Sequence, residues 1–249
     1  MGRAKEEWMR QQELEPMYEW IEENYGDDAG EEGSETWDEA VQAYENYCEN
    51  LERQEEEDYW QSQYDYYIAL TLEDADYIFQ IDLSELKSII ENIPDNASSQ
   101  TYYKMIYAHA VTILEVYLED ITKSLIMTNE TFLANTIKNV RPFCDTKIKL
   151  SDISLEEDGI KKYVLSKLSD YLFHDIPKVI NILNGILNTK LEVSINDICN
   201  VTITRHDIVH RNGKNKDGEV IDLDRSVSLE ALNIVEEFAN ELRQKLSEL

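Results

Sequence analysis

Cysteine is scarce and unpaired in this 249-residue chain: Cys48, Cys144 and Cys199 are odd in number, widely spaced and free of any Cys-x-x-Cys spacing. That excludes a disulfide framework or a zinc knuckle and predicts reduced thiols in an intracellular protein. The eight glycines form no phosphate-cradling loop and no Gly-x-Ser-x-Gly elbow, so ATPase and serine-hydrolase readings lack support. No apolar run approaches the length of a membrane span, and the opening MGRAKEEWMRQQELE has no apolar signal core. Glu6 stands where a myristoylation signal on Gly2 wants Ser or Thr. A soluble, cytoplasmic protein without a membrane partner is therefore expected.

Basic residues are also few. Lys and Arg number 23 against 52 Asp and Glu, a net charge of −29, which argues against a general nucleic-acid binder because displacing counterions from phosphates needs a basic surface. The average conceals an asymmetry. Residues 1–97 carry 29 acidic against 5 basic side chains, whereas 98–249 carry 23 against 18. The expected boundary is Pro94-Asp95-Asn96-Ala97-Ser98-Ser99, where turn formers cluster and the charge balance changes. Two domains follow: 1–97, an acidic, aromatic-rich helical region of unassigned function, and 98–249.

In the first region a helix is predicted from residue 4 to about 24, with Trp8, Met9, Leu14, Met17, Tyr18 and Ile21 as its stripe. A flexible linker is expected near 26–35, which holds three glycines. Thr36 is a candidate cap for the next helix, whose stripe is Trp37, Val41, Tyr44, Cys48 and Leu51. Two short helices, Leu72–Phe79 and Leu83–Ile93, are expected next, with Asp82 or Ser84 as a cap for the second. All four tryptophans and nine of the fifteen tyrosines fall in the first 77 residues. They suit a small aromatic core with acids facing water, or an acidic arm that imitates nucleic acid and covers a cationic pocket. The sequence leaves both open.

Beyond the boundary the spacing is helical throughout. Met105 to Leu125 predicts a helix buried on most of its surface, and Glu130–Val140 a second, capped by Thr128 or Asn129. Residues 143–158 read as an exposed connection. Tyr163–Leu172 and Ile176–Leu187 are split by Pro177, Leu191–Val209 is partly helical, and Leu229–Leu249 closes an all-α bundle of four or five helices.

The densest chemistry lies at Arg205-His206-Asp207-Ile208-Val209-His210-Arg211-Asn212-Gly213, which holds two of only four histidines. Imidazole exchanges protons near neutral pH, and an arginine fork suits phosphate oxygens. Proton transfer beside a fixed positive charge is the minimum apparatus for cleaving a phosphodiester by its own 2′-hydroxyl, which RNA has and DNA lacks. Arg205 and His210, five residues apart, stand about 140° apart on an ideal helix. Either the helix ends between them, as Asn212-Gly213 could arrange, or two copies lend groups to one pocket across a two-fold axis.

The stretch resembles the signature of the HEPN superfamily (higher eukaryotes and prokaryotes nucleotide-binding domains), in particular the branch reading Arg-His-x-Ile-Val-His-Arg-x-Gly found in prokaryotic defence and stress proteins. The resemblance covers about residues 98–249. It implies a four-to-five-helix bundle whose motif closes a late helix, in a metal-independent, dimeric endoribonuclease without cofactor. Arg205 would stabilise the phosphate, His210 would handle the proton and His206 would assist. Arg211, Lys214 and Lys216 are candidate RNA contacts, and Asp207, Asn212, Glu115 and Glu119 candidate supports. Many such proteins have lost cleavage, so the alternative is a silent dimerisation or adaptor module that binds a protein or RNA partner, with the acidic region as a contact or regulatory surface.

Other readings attach to the same residues. His206 and His210, four apart, could share a helix face and bind zinc, but Asp207 is an awkward third ligand and no Glu lies between the histidines. A purely structural motif would pair Arg205 with Glu115 or Glu119 and leave His210 capping a carbonyl. His109 and His174, in apolar surroundings, read as satisfied structural histidines.

Overall fold

The computed structural model describes residues 2–94, 99–147 and 159–248, with side chains from Gln12 onward. Among these the chain is all-α, with nine α-helices and no strand; one isolated antiparallel bridge links Lys214 and Val220. No helix among the described residues is long and apolar enough to cross a membrane. The chain forms two compact units, 1–62 and 63–249. The boundary expected at 94–99 therefore falls inside the second unit, and Asp95–Ser98 lie outside the described residues.

The first unit holds α1 (Gly2–Asn24) and most of α2 (Glu35–Ala69). Ile21, Ala29 and Ala40 make its small core, flanked by Met17, Trp20, Trp37 and Val41. Trp20 gathers Tyr25, Tyr44 and Tyr47 with ring centroids 6.0, 5.6 and 5.2 Å away, and Tyr18 meets Trp37 at 5.6 Å. These rings pack on one another around that core, with Tyr18, Tyr25 and Tyr47 partly exposed to solvent. The linker expected near 26–35 contains a 3-10 turn, Gly26–Ala29, that buries Ala29. Ser34, not Thr36, caps α2: its Oγ accepts from the Trp37 amide at 3.2 Å. Trp8 and Met9 precede the described side chains.

In the second unit the two short helices expected between 72 and 93 are one, α3 (Leu72–Glu91), started by a reciprocal capping box between Thr71 and Asp74. Ser84 starts no new helix; its hydroxyl donates back to the Ile81 carbonyl at 2.8 Å. Six helices follow, rather than four or five: α4 (Ser99–Thr128), α5 (Glu130–Asn139), α6 (Gly159–Ser169), α7 (Ile176–Leu187), α8 (Asn196–His210) and α9 (Arg225–Ser247). Asn129 caps α5 and Asp175 caps α7, where Pro177 sits in the first turn, as its missing amide allows. Of the connection expected at 143–158, Phe143–Asp145 is a short 3-10 turn and Phe143 is buried. Ile148, Lys149 and Glu156-Glu157-Asp158 lie outside the described residues.

Helix α4 is the axis of this unit and packs against every other helix from α3 to α9. Ala110, Val111, Leu114 and Leu118 are fully buried, which fits an apolar pattern too broad for an amphipathic stripe. Its C-terminal half nevertheless carries polar groups inward. Lys123, 1% exposed, pairs with Glu119, donates to Ser169 Oγ at 2.7 Å and lies 4.9 Å from the Tyr67 ring centre. Ser124 donates to the Leu70 carbonyl between α2 and α3 at 2.6 Å. Asp120 accepts from the Tyr66 hydroxyl at 3.4 Å.

Burial, and then the neighbouring Glu119 charge, push the Asp120 carboxyl up to about 6 against bonds from Tyr66 and Tyr67 and the pull of Lys123. The folded chain therefore keeps this proton to higher pH than the unfolded chain does, and the stability that Asp120 contributes is lost as pH rises from about 4 through about 6. Asp120→Asn is expected to raise stability at pH 7.5 by roughly 1–2 kcal/mol, at 1.36 kcal/mol per pKa unit less a discount for solvent. It should also flatten that acid slope. Urea unfolding at pH 4.5 and 7.5 measures both; a loss at neutral pH would mean the tyrosine bonds to the charged carboxylate outweigh its desolvation.

Candidate functional site

Helix α8 is seated by Ile198, Val201 and Ile208, all buried, against α4, α7 and α9. It runs unbroken from Asn196 to His210, so it does not end between Arg205 and His210. The two side chains accordingly face different ways. Arg205 is turned inward, its side chain 17% exposed, whereas His206 and His210 lie on the exposed face with ring centroids 4.7 Å apart. Ile203 and Val209, 53% and 49% exposed, lie on the same side of the helix as the two histidines.

The end of α8 depends on Asp207. Its carbonyl accepts from the amides of Arg211 and Gly213, both at 3.1 Å, while its buried carboxylate holds the Arg211 guanidinium. Asp207 thus closes the helix end, and Arg211 is partly committed to it. Asn212 and Gly213 turn the chain out of the helix with φ of 54° and 77°, the left-handed region that favours these residues. Lys214 and Lys216 are exposed beyond the turn. Arg225 instead donates to the Ile93 carbonyl at 3.0 Å.

Arg205 meets α4 at Glu115. One carboxylate oxygen lies 3.8 Å from its Nη2, and the other lies against Nδ1 of His174, in the turn between α6 and α7, without the alignment of a hydrogen bond. Glu115 therefore joins an arginine to a histidine far apart in sequence. The structural pairing foreseen for Arg205 exists, but loosely: 3.8 Å is beyond a hydrogen bond, and the buried Nε has no partner. Such a guanidinium retains donor capacity for an oxyanion.

Glu119 is not brought to this group, because it pairs with Lys123 one turn further along α4. His109 is exposed rather than buried. His174 lies against Glu115 rather than in wholly apolar surroundings. Its position just before the capping Asp175 and Pro177 marks a loop, where a polar ring can turn toward a neighbouring helix. Among the described residues, no group of three or more His, Cys, Asp or Glu side chains is arranged to hold a metal ion. A cavity of about 800 Å³ between α3, α4 and α9, lined in part by Asp76, Tyr117 and Arg243, contains none of these residues.

No family model, no curated protein and no solved structure matches the chain. The resemblance noted in the sequence accordingly rests on the residues of the motif.

Gly213→Ala is expected to destabilise the chain by roughly 1–2 kcal/mol, the cost of a left-handed backbone for a residue with a Cβ. The added methyl would also stand 2.6 Å from Lys104 Nζ, displacing that side chain. Thermal unfolding tests this. A neutral result would mean that the α8 terminus can re-close without the turn.

Proposed function

We propose that this chain is a metal-independent endoribonuclease of the kind its motif resembles, acting on RNA as a homodimer in a defence or toxin-like setting. The observation that carries the reading is Arg205, mostly enclosed and loosely paired at 3.8 Å with an unpartnered Nε, on the helix whose exposed edge carries two histidines. Arg205 holds a non-bridging phosphate oxygen and His210 takes the proton from the 2′-hydroxyl. The O2′–P bond forms, the P–O5′ bond breaks, and the products carry a 2′,3′-cyclic phosphate and a 5′-hydroxyl. His206 lies beside His210 and assists it; Lys214 and Lys216 contact neighbouring phosphates.

Helix geometry supports the dimer. Arg205 and His210 diverge within one copy, and exposed Ile203 and Val209 give α8 an apolar edge for a second. Arg205 of one copy and His210 of the other then complete one pocket.

In EDTA, the wild-type protein is expected to cut mixed cellular RNA, leaving 2′,3′-cyclic ends. Arg205→Ala and His210→Ala should each lose activity without losing fold or oligomeric state. Mixed after joint refolding, the two inactive variants should recover about a quarter of wild-type activity, since half the dimers are mixed and each of those has one intact composite pocket. No recovery overturns the shared pocket. No cleavage by wild type or by residues 63–249 overturns the nuclease and favours the dimerising adaptor.

A further inference from the structure

Cleavage through the 2′-hydroxyl needs two proton transfers, one from the attacking oxygen and one to the departing 5′-oxygen. The motif accounts for the first. Glu115 meets Arg205 Nη2 at 3.8 Å with one oxygen and His174 Nδ1 with the other, and the three side chains are 21%, 17% and 30% exposed. Resting on the RNA-cleaving reading above, we infer that His174 is a further catalytic residue, the proton donor to the leaving 5′-oxygen of the RNA whose phosphate Arg205 holds.

Three features carry this. The carboxylate lies against Nδ1 and occupies that edge of the ring, so the nitrogen left to exchange with substrate is Nε2. Glu115 also supplies the counter-charge that a protonated ring needs in a half-enclosed site. And His174 shares that carboxylate with Arg205, whereas His210 faces elsewhere on α8. A phosphate held by Arg205 is thereby brought near His174 of the same copy. The step balances: the Nε2 proton passes to O5′ as the P–O5′ bond breaks, and the 2′-hydroxyl proton has gone to His210. The two rings end with their protonation exchanged, and solvent restores them.

The experiment compares full-length wild type, His174→Ala, His174→Gln and His210→Ala on an RNA oligonucleotide and on uridine 3′-(p-nitrophenyl phosphate), at matched fold by circular dichroism. The nitrophenolate of the second substrate leaves without being protonated, so loss of a general acid does not slow it. Both His174 variants should lose roughly 10²–10⁴-fold on RNA yet stay within about tenfold of wild type on the nitrophenyl ester. His210→Ala should fail on both. Equal losses on the two substrates, or full activity of either His174 variant on RNA, overturn the assignment while the nuclease reading stands. Wild type silent on both overturns the nuclease reading and this assignment with it.

Discussion

The second unit depends on how one largely buried helix satisfies its own polar side chains. α4 has apolar residues on nearly every face, yet Glu115, Glu119, Asp120, Lys123 and Ser124 also point into its packing. A buried charge without a partner costs several kcal/mol, so these groups are met within α4, as Glu119 is by Lys123, or from another element. The partners fix the neighbours: Ser169 ends α6, the Leu70 carbonyl marks the passage from α2 to α3, and Arg205 and His174 come from α8 and the turn before α7. The candidate chemistry and the register of the bundle thus share one requirement.

The two polar groups on α4 are satisfied to different degrees. Around Lys123 the contacts close: a carboxylate, a serine hydroxyl and an aromatic face surround one ammonium. Around Glu115 they do not, since Arg205 stands at 3.8 Å with an unpartnered Nε and His174 keeps its second ring nitrogen beyond the carboxylate. Closed networks rigidify a core, and incomplete ones recur at sites that bind something else. That contrast within one helix distinguishes a structural group from a candidate site more sharply than residue type does.

Helix existence and the motif were legible in the sequence because both are local. Apolar periodicity located α4, α7 and α9, and Pro177 separated α6 from α7. Continuity was less legible. Asp82 and Ser84 resemble a cap, but the polar groups of α3 face outward there and its apolar positions Phe79, Leu83 and Leu86 carry one helix through. The division between units was hidden because charge and packing differ: α3 is acidic yet packs on α4 and α9. The contact of His174 with Glu115 was invisible, since the two lie 59 positions apart and no periodicity couples a loop to a buried helix. Conversely, Glu115 and Glu119 looked alike in sequence, and only Lys123 one turn beyond Glu119 separates their roles.

Charge also constrains how an RNA could be engaged. Residues 1–62 carry 21 acidic against 4 basic side chains, and 63–249 still carry 31 against 19. A chain of this sign offers no long-range attraction to phosphates, so steering of the kind basic nucleic-acid binders use is absent. Screening limits the opposing field to about 8 Å at physiological ionic strength, however, and inside that distance the local set decides. That set includes Arg205 with its free donor capacity, Lys104 beside Gly213, and Lys214 and Lys216 beyond the α8 turn; Arg211 is already held by Asp207. With so few positive groups, backbone contacts cannot supply much affinity. On the proposed reading, selectivity would come from the shape and chemistry of the nucleotide at the bond to be cleaved, which fits engagement of a few exposed nucleotides better than the gripping of a long duplex.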